Sequence, residues 1–313
     1  MTHITVINLR VLYGHGVRSG ELIVTQPSRR TFLEATAVTL WVPHFSRVFG
    51  ARSGEVDFLS SDSETAPPKP PFPVHDYHVH LSPTLTIDQA LQLGKERGVQ
   101  LGILEHPGPG NPINTDADLQ RYIDGLRRYP VRIGLQPVYP GWSKAFSKPV
   151  LDQLDYILMD ALTLPNPDGT WLAIWQIDTM VDDAEAFMTR YMQFIEQILT
   201  TEPIDIFGWP TFLPVPIARQ YTELWTKPRI RRIVDLCADT KQPARPGKKL
   251  AIEINEVAHV PDENLIREAK RAGLKFTFGT DSRNQHAAHF YYCYQIAQRC
   301  GLTEGDMYMV KRS

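Results

Sequence analysis

Val74-His75-Asp76-Tyr77-His78-Val79-His80 reads as a buried β-strand carrying an acidic residue and ending in two histidines. Side chains two apart on a strand share a face, so the pattern predicts that Asp76, His78 and His80 point the same way. Imidazoles at i and i+2 can close on one divalent ion, with third and fourth ligands normally brought in from other strand ends. The plainer alternative is a strand whose histidines are ordinary polar residues beside a loop.

From Val74 onward, short apolar runs rich in β-branched residues alternate with amphipathic stretches, the pattern of a parallel α/β architecture. Strands are predicted at 74–79, 100–104, 131–135, 155–160, 204–208, 250–254 and 275–280. Between them lie helical patterns at Ile87–Arg97, Thr115–Tyr129, Asp182–Thr200, Pro261–Arg271 and His286–Cys300. Asp182 and Pro261 sit at expected helix starts, and Gly98 and Gly273 at expected helix ends. About seven βα units fit, with a longer loop at Leu162–Met180 and a Pro-rich segment at Pro210–Pro216. A closed or nearly closed barrel explains why polar residues cluster at strand C-terminal ends. The alternative, an open doubly wound sheet, is weakened because no Gly-rich phosphate loop follows the first strand.

The 313 residues, 42% of them hydrophobic, can bury a sizeable core, and no apolar run is long enough to span a bilayer as a helix. Formal charge is -2 overall, but residues 1–51 hold five Arg and two acidic residues. The remaining body therefore has 28 Lys and Arg against 33 Asp and Glu, a net of -5 with no electrostatic footprint for nucleic acid. The basic clusters at Arg229, Arg231, Arg232 and at Lys241–Lys249 are read as solvated helix faces. Cys237, Cys293 and Cys300 are too scattered for a disulfide framework or zinc knuckle and are read as packed or free thiols.

Ser28-Arg29-Arg30-Thr31-Phe32-Leu33 matches a twin-arginine export signal, with a mildly apolar stretch from Ala35 to Phe45, a flanking Arg47 and an expected leader end near Ala51. Glu34 and Phe49 depart from that pattern. The expectation is export to the periplasm or medium through the twin-arginine route. The long stretch ahead of the arginines points to a translation start further downstream, or else to strands of a small β-domain over Ile4–Val24. Residues 52–73, rich in Ser, Asp, Glu and Pro, read as a linker to a barrel domain at 74–313.

The strand ends read, in order, Asp76-Tyr77-His78-Val79-His80, Glu105-His106, Gly134-Leu135-Gln136, Asp160-Ala161-Leu162, Gly208-Trp209-Pro210-Thr211, Glu253-Ile254-Asn255 and Gly279-Thr280-Asp281-Ser282-Arg283. In that order they resemble the PHP superfamily, the polymerase and histidinol phosphatase metal-dependent phosphoesterases, over roughly residues 74–310. Pro-Thr-Phe-Leu-Pro at 210–214, Leu-Trp-Thr at 224–226 and Lys-Phe-Thr-Phe-Gly-Thr at 275–280 resemble a diverged branch of it. The resemblance implies a distorted (β/α)7 TIM-like barrel with up to three metals at its C-terminal rim. His78, His80, His106 and Asp281 occupy its ligand positions and keep ligand chemistry, and Glu105 stands where an Asp is common. Gln136, Leu162, Trp209 and Arg283 take four other ligand positions. A Gln offers only a neutral oxygen, Leu and Trp offer nothing, and Arg repels a cation, so one divalent ion, zinc, manganese or iron, is expected in place of three.

The function implied is hydrolysis of a small-molecule phosphoester, or another polar ester or amide, by one ion and its water. Asp281 or Glu105 is the expected general base and His106 the acid, while Arg283, Gln136 and Trp209 are the expected substrate contacts, the last through ring stacking. His286 and His289, at i and i+3, are read as solvating the start of the last helix, with substitute ligation as the alternative. The rival class of function is a barrel that has lost catalysis and binds a small molecule such as a carbohydrate in the former active site.

Overall fold

A computed structural model describes the backbone of residues 4–13 and 16–25 and the whole of residues 66–312. The expected leader signal at 28–51 and linker residues 52–65 lie outside the described residues. Strands β1 (Ile4–Tyr13) and β2 (Gly16–Thr25) pair antiparallel.

Seven parallel strands then close into a barrel surrounded by helices. The first four are β3 (Val74–His80), β4 (Val99–Glu105), β5 (Arg132–Leu135) and β6 (Tyr156–Met159). After β6 the chain makes a small antiparallel ladder, β7 (Thr163–Pro165) with β8 (Trp171–Ala173), inside the predicted long loop. The barrel resumes with β9 (Ile206–Phe207), β10 (Ala251–Asn255) and β11 (Lys275–Gly279), and β11 returns to pair with β3. Each barrel strand falls within a residue or two of its predicted stretch.

The outer layer holds α1 (Ile87–Arg97), α2 (Asp116–Arg127), α3 (Lys148–Leu151), α4 (Ala184–Thr201), α5 (Tyr221–Leu224), α6 (Lys227–Ala238), α7 (Glu263–Arg271) and α8 (Tyr292–Arg299). Their starts follow capping chemistry: Thr86 with Gln89 and Thr115 with Asp118 form capping boxes, and Asp183 and Asp262 accept from first-turn amides of α4 and α7. Gly98 ends α1 in the left-handed region at φ 60°. No helix among the described residues is long and apolar enough to cross a membrane.

Two expectations about this layer are corrected. The helix predicted over His286–Cys300 begins only at Tyr292, because the carboxylate of Glu256 accepts the amides of Tyr291, Tyr292 and Cys293 at 2.9–3.1 Å and so caps α8 from another loop. The Lys241–Lys249 stretch forms turns, and Arg245 within it is buried, donating to the carbonyls of Leu199 and Leu236 at the ends of α4 and α6. The other basic cluster does lie on a helix, where Arg229 and Arg232 of α6 pair with Glu185 and Glu196 of α4. All three cysteines are buried and unbridged.

Inside the barrel, Tyr77, Leu104, Tyr156, Leu158, Ile206 and Ala251 form a plug that Val310, from the segment after α8, completes. Two strand residues further on, the same inward face turns polar, running from Leu104 to His106, Leu158 to Asp160 and Ala251 to Glu253. The plug is a floor beneath the polar rim. Tyr156 lies so close to β4 and β5 that a Cβ at Gly102 would come 2.4 Å from its hydroxyl and one at Gly134 2.6 Å from its ring. Gly134→Ala should therefore lower the unfolding free energy by about 1–3 kcal/mol in urea titrations. An unchanged midpoint would show that the Tyr156 ring can retreat.

Candidate metal centre

Strand β3 carries a register shift against β4 between Asp76 and Val79. His75 and Tyr77 stack on one face with centroids 5.2 Å apart, and Tyr77 belongs to the plug. Val79, by contrast, packs in the outer core between barrel and helices, which leaves His78 and His80 facing inward. The bulge thus puts Tyr77 and its neighbour His78 on the same side of the sheet. It also corrects the expectation that Asp76 shares the site. That carboxylate accepts the amide and hydroxyl of Thr280 at 3.0 and 2.6 Å and the amide of Ala288 at 2.8 Å, so it anchors the loop after β11.

The loop it anchors delivers Asp281, whose φ of 43° lies in the left-handed region that Asp tolerates better than most residues. Asp281 Oδ1 is 3.3 Å from His78 Nε2 and 3.4 Å from His80 Nε2, and the ligand atoms of this trio all lie within 4.8 Å of one another. Ligands 2.0–2.1 Å from a tetrahedral ion stand about 3.3–3.4 Å apart, so the carboxylate-to-imidazole edges match such a site. His80 Nε2 is buried without a well-formed hydrogen bond, as an unfilled ligand would be.

His78 is oriented from both sides. Its Nδ1 is 2.6 Å from Glu253 Oε1, and its Nε2 is 2.9 Å from Gln136 Oε1. Gln136 turns its amide nitrogen to Asp160 at 2.8 Å, which fixes its oxygen toward His78. Glu253 also accepts the Trp209 amide at 2.9 Å. A Cβ at Gly279 would lie 2.0 Å from Glu253 Oε1, so only glycine lets β11 pass. A carboxylate behind a metal-binding imidazole is the usual support for such a ligand.

Electrostatics follow from burial and these contacts. Burial opposes charge on His78, but Asp281 and Glu253 outweigh it and hold its pKa up at about 9. His80 is pushed down to about 3 by burial and by the Arg283 charge. Burial would raise Asp281, yet His78, Arg283 and His80 hold it well below the usual carboxylate range. Burial raises Asp76 and Asp160 to about 6.

The remaining sequence-predicted residues are divided between this site and the layers around it. His106 stacks on His80 at 4.7 Å, its Nδ1 is 2.9 Å from the Gln136 carbonyl, and its Nε2 is 3.2 Å from Arg283. Arg283 also donates to Asp281 Oδ1 at 2.9 Å. Glu105 does not join them: its side chain lines a surface cavity with Arg121, Tyr122 and Arg128, on the helix side of β4, and its pKa is raised by burial. Trp209 is buried against Phe212, so the expected exposed stacking ring is absent there, and Leu162 packs in the core. His286 and His289 sit in turns ahead of α8 and not on it. Glu253 and Asp160 have no role in the sequence reading; the signal for them is the step of two from the inward residues Ala251 and Leu158.

No family model matches this chain, and no curated protein matches it. Among solved structures, a chain of the "cryo-EM structure of archaeal Ribonuclease P with mature tRNA" is similar at 11% identity, with 76% of this chain and 98% of that chain covered and a TM-score of 0.34. Likeness at that level supports no inference about this chain.

A histidine whose folded pKa is raised contributes stability below its unfolded value of 6.5 and loses it as pH climbs through about 9. In chelator, wild-type stability should therefore fall across that window relative to His78→Gln; parallel profiles would show that His78 is not charged in the metal-free fold. Glu253→Gln should weaken zinc binding by about 10–100-fold in competition titrations while leaving its stoichiometry unchanged.

Proposed function

We propose that this barrel is a metal-dependent hydrolase of the PHP type, exported by the twin-arginine route and acting on a phosphoester or a related small anionic ester. The observation that carries the reading is the convergence of His78 Nε2, His80 Nε2 and Asp281 Oδ1 at near-tetrahedral edges, 3.3 and 3.4 Å, on the polar end of the barrel. A bound zinc-, manganese- or iron-like ion supplies Lewis acidity, which activates water near neutral pH and offsets charge developing on the substrate. His78, His80 and Asp281 hold that ion, and Glu253, bonded to the far nitrogen of His78, keeps the ring aimed.

Asp281, kept ionised by its cationic neighbours, serves as a charged ligand and is a poor base. Proton transfer falls to His106, whose unprotonated Nε2, once released by Arg283, takes a proton from the attacking water and passes it to the leaving group. Arg283, whose side chain is 46% exposed beside the ligands, offers its remaining N–H groups to an anionic group of the substrate.

A second reading, a barrel that binds a small molecule without catalysis, is favoured by one observation: Glu253, Gln136 and Asp281 already satisfy both nitrogens of a protonated His78. Elemental analysis of the purified full chain distinguishes the two. About one ion per chain is expected, lost in His78→Ala with His80→Ala, together with a lower melting temperature than the metal-loaded wild type. Three tightly held ions would contradict the mononuclear centre. Hydrolysis in a phosphoester, ester and amide screen with added zinc, manganese or iron should fall by at least about 100-fold in Asp281→Asn. No turnover anywhere, with ligand-induced thermal shifts that survive chelation, would favour the binding protein.

A further inference from the structure

Arg283 bridges the carboxylate of the candidate metal trio and the histidine beside it. Its Nη1 donates to Asp281 Oδ1 at 2.9 Å and its Nη2 lies 3.2 Å from His106 Nε2. The other nitrogen of His106, Nδ1, is 2.9 Å from the Gln136 carbonyl, which can only accept. Nδ1 therefore carries the hydrogen, Nε2 presents its lone pair, and Arg283, which has only donors, takes it.

His106 otherwise has the attributes of a third imidazole ligand. It is buried, its ring stacks on His80, and its far nitrogen is fixed by a carbonyl as metal-binding histidines commonly are. The compact trio that could hold an ion is nevertheless His78, His80 and Asp281. The arginine is itself held: Ser82 Oγ and Thr84 Oγ1, in the loop after β3, both donate to its backbone carbonyl, at 2.7 and 3.2 Å.

The difference matters because coordination number separates two kinds of site. A tetrahedral ion on two imidazoles and one carboxylate keeps a corner open for water or substrate, whereas a third imidazole would close it, as in structural zinc sites. We propose that Arg283 is a positioning residue that keeps His106 out of the ion's coordination sphere, so that the fourth corner stays open. The guanidinium fork decides this: Nη2 occupies the lone pair while Nη1 is held by Asp281. This inference rests on the metal reading above.

The test uses the chelator-stripped full chain reloaded with zinc. X-ray absorption at the zinc edge should count two imidazoles in wild type and three in Arg283→Ala, with affinity in the variant tighter by about tenfold. The gain should vanish in Arg283→Ala with His106→Asn, its fold checked by thermal melting. Arg283→Lys, which keeps the charge but cannot span Asp281 and His106, should resemble the alanine variant in imidazole count. Three imidazoles already in wild type, or two in both wild type and Arg283→Ala with unchanged affinity, would overturn the assignment, as would wild-type behaviour of the lysine variant. Failure of the metal reading looks different: zinc would not bind, or would bind equally well to His78→Ala with His80→Ala.

Discussion

The register shift in β3 is the constraint on which the barrel interior depends. A regular strand would place His78 and Tyr77 on opposite faces, and whichever looked inward would exclude the other. With the shift between Asp76 and Val79, Tyr77 closes the apolar floor while His78 and His80 reach the polar rim. The same shift leaves Asp76 to gather the amides of Thr280 and Ala288, which sets the loop that carries Asp281. One irregularity thus couples the floor, the two imidazoles and the carboxylate that meets them.

Above the floor the problem is one of buried charge. Asp76, Asp160 and Glu253 are all buried, and none stands alone: Thr280, Ala288, Gln136, Leu162, Trp209 and His78 supply the donors. Burying an unpaired carboxylate is costly enough that such groups shift their pKa or acquire partners, and for Asp76 and Asp160 both occur. Asp281 is the exception in sign, because three cationic or potentially cationic groups converge on it. A divalent ion that displaced the Nε2 proton of His78 would enter a centre already organised around positive charge.

Much of the barrel was legible because parallel strands buried on both faces leave short apolar runs, while β3, Val74–His80, stood out by its polar pattern. The site was legible in part where chemistry sits at a strand end: His78 and His80 follow from the strand pattern, and His106 and Asp281 from the resemblance of the strand ends. What escaped reading depends on partners distant in sequence. The bulge reflects how β3 meets β4 and the loop after β11, and Glu256 displaces the start of α8 from 35 residues upstream. Arg245 looked like a surface charge because nothing local reveals that two helix ends converge on it. Trp209 was misjudged for a related reason. Its position at a strand end suggested exposure, but the tight turn after β9, with Trp209 and Thr211 both at positive φ, folds the ring into the core against Phe212.

The pairing of β11 with β3 also orders events in time. Phe278 lies opposite Asp76, and the bonds from Asp76 to Thr280 span 204 residues of chain, so the first barrel strand must wait for the seventh before its outer edge is satisfied. During synthesis β3 can pair on one side with β4 while its other edge, with Asp76, His78 and His80, stays open to water. Contacts of such long sequence separation are slow to form because loop-closure entropy is lost before they reward it. The ligand cluster draws on both β3 and the loop after β11, so it cannot form before the two ends of the barrel meet.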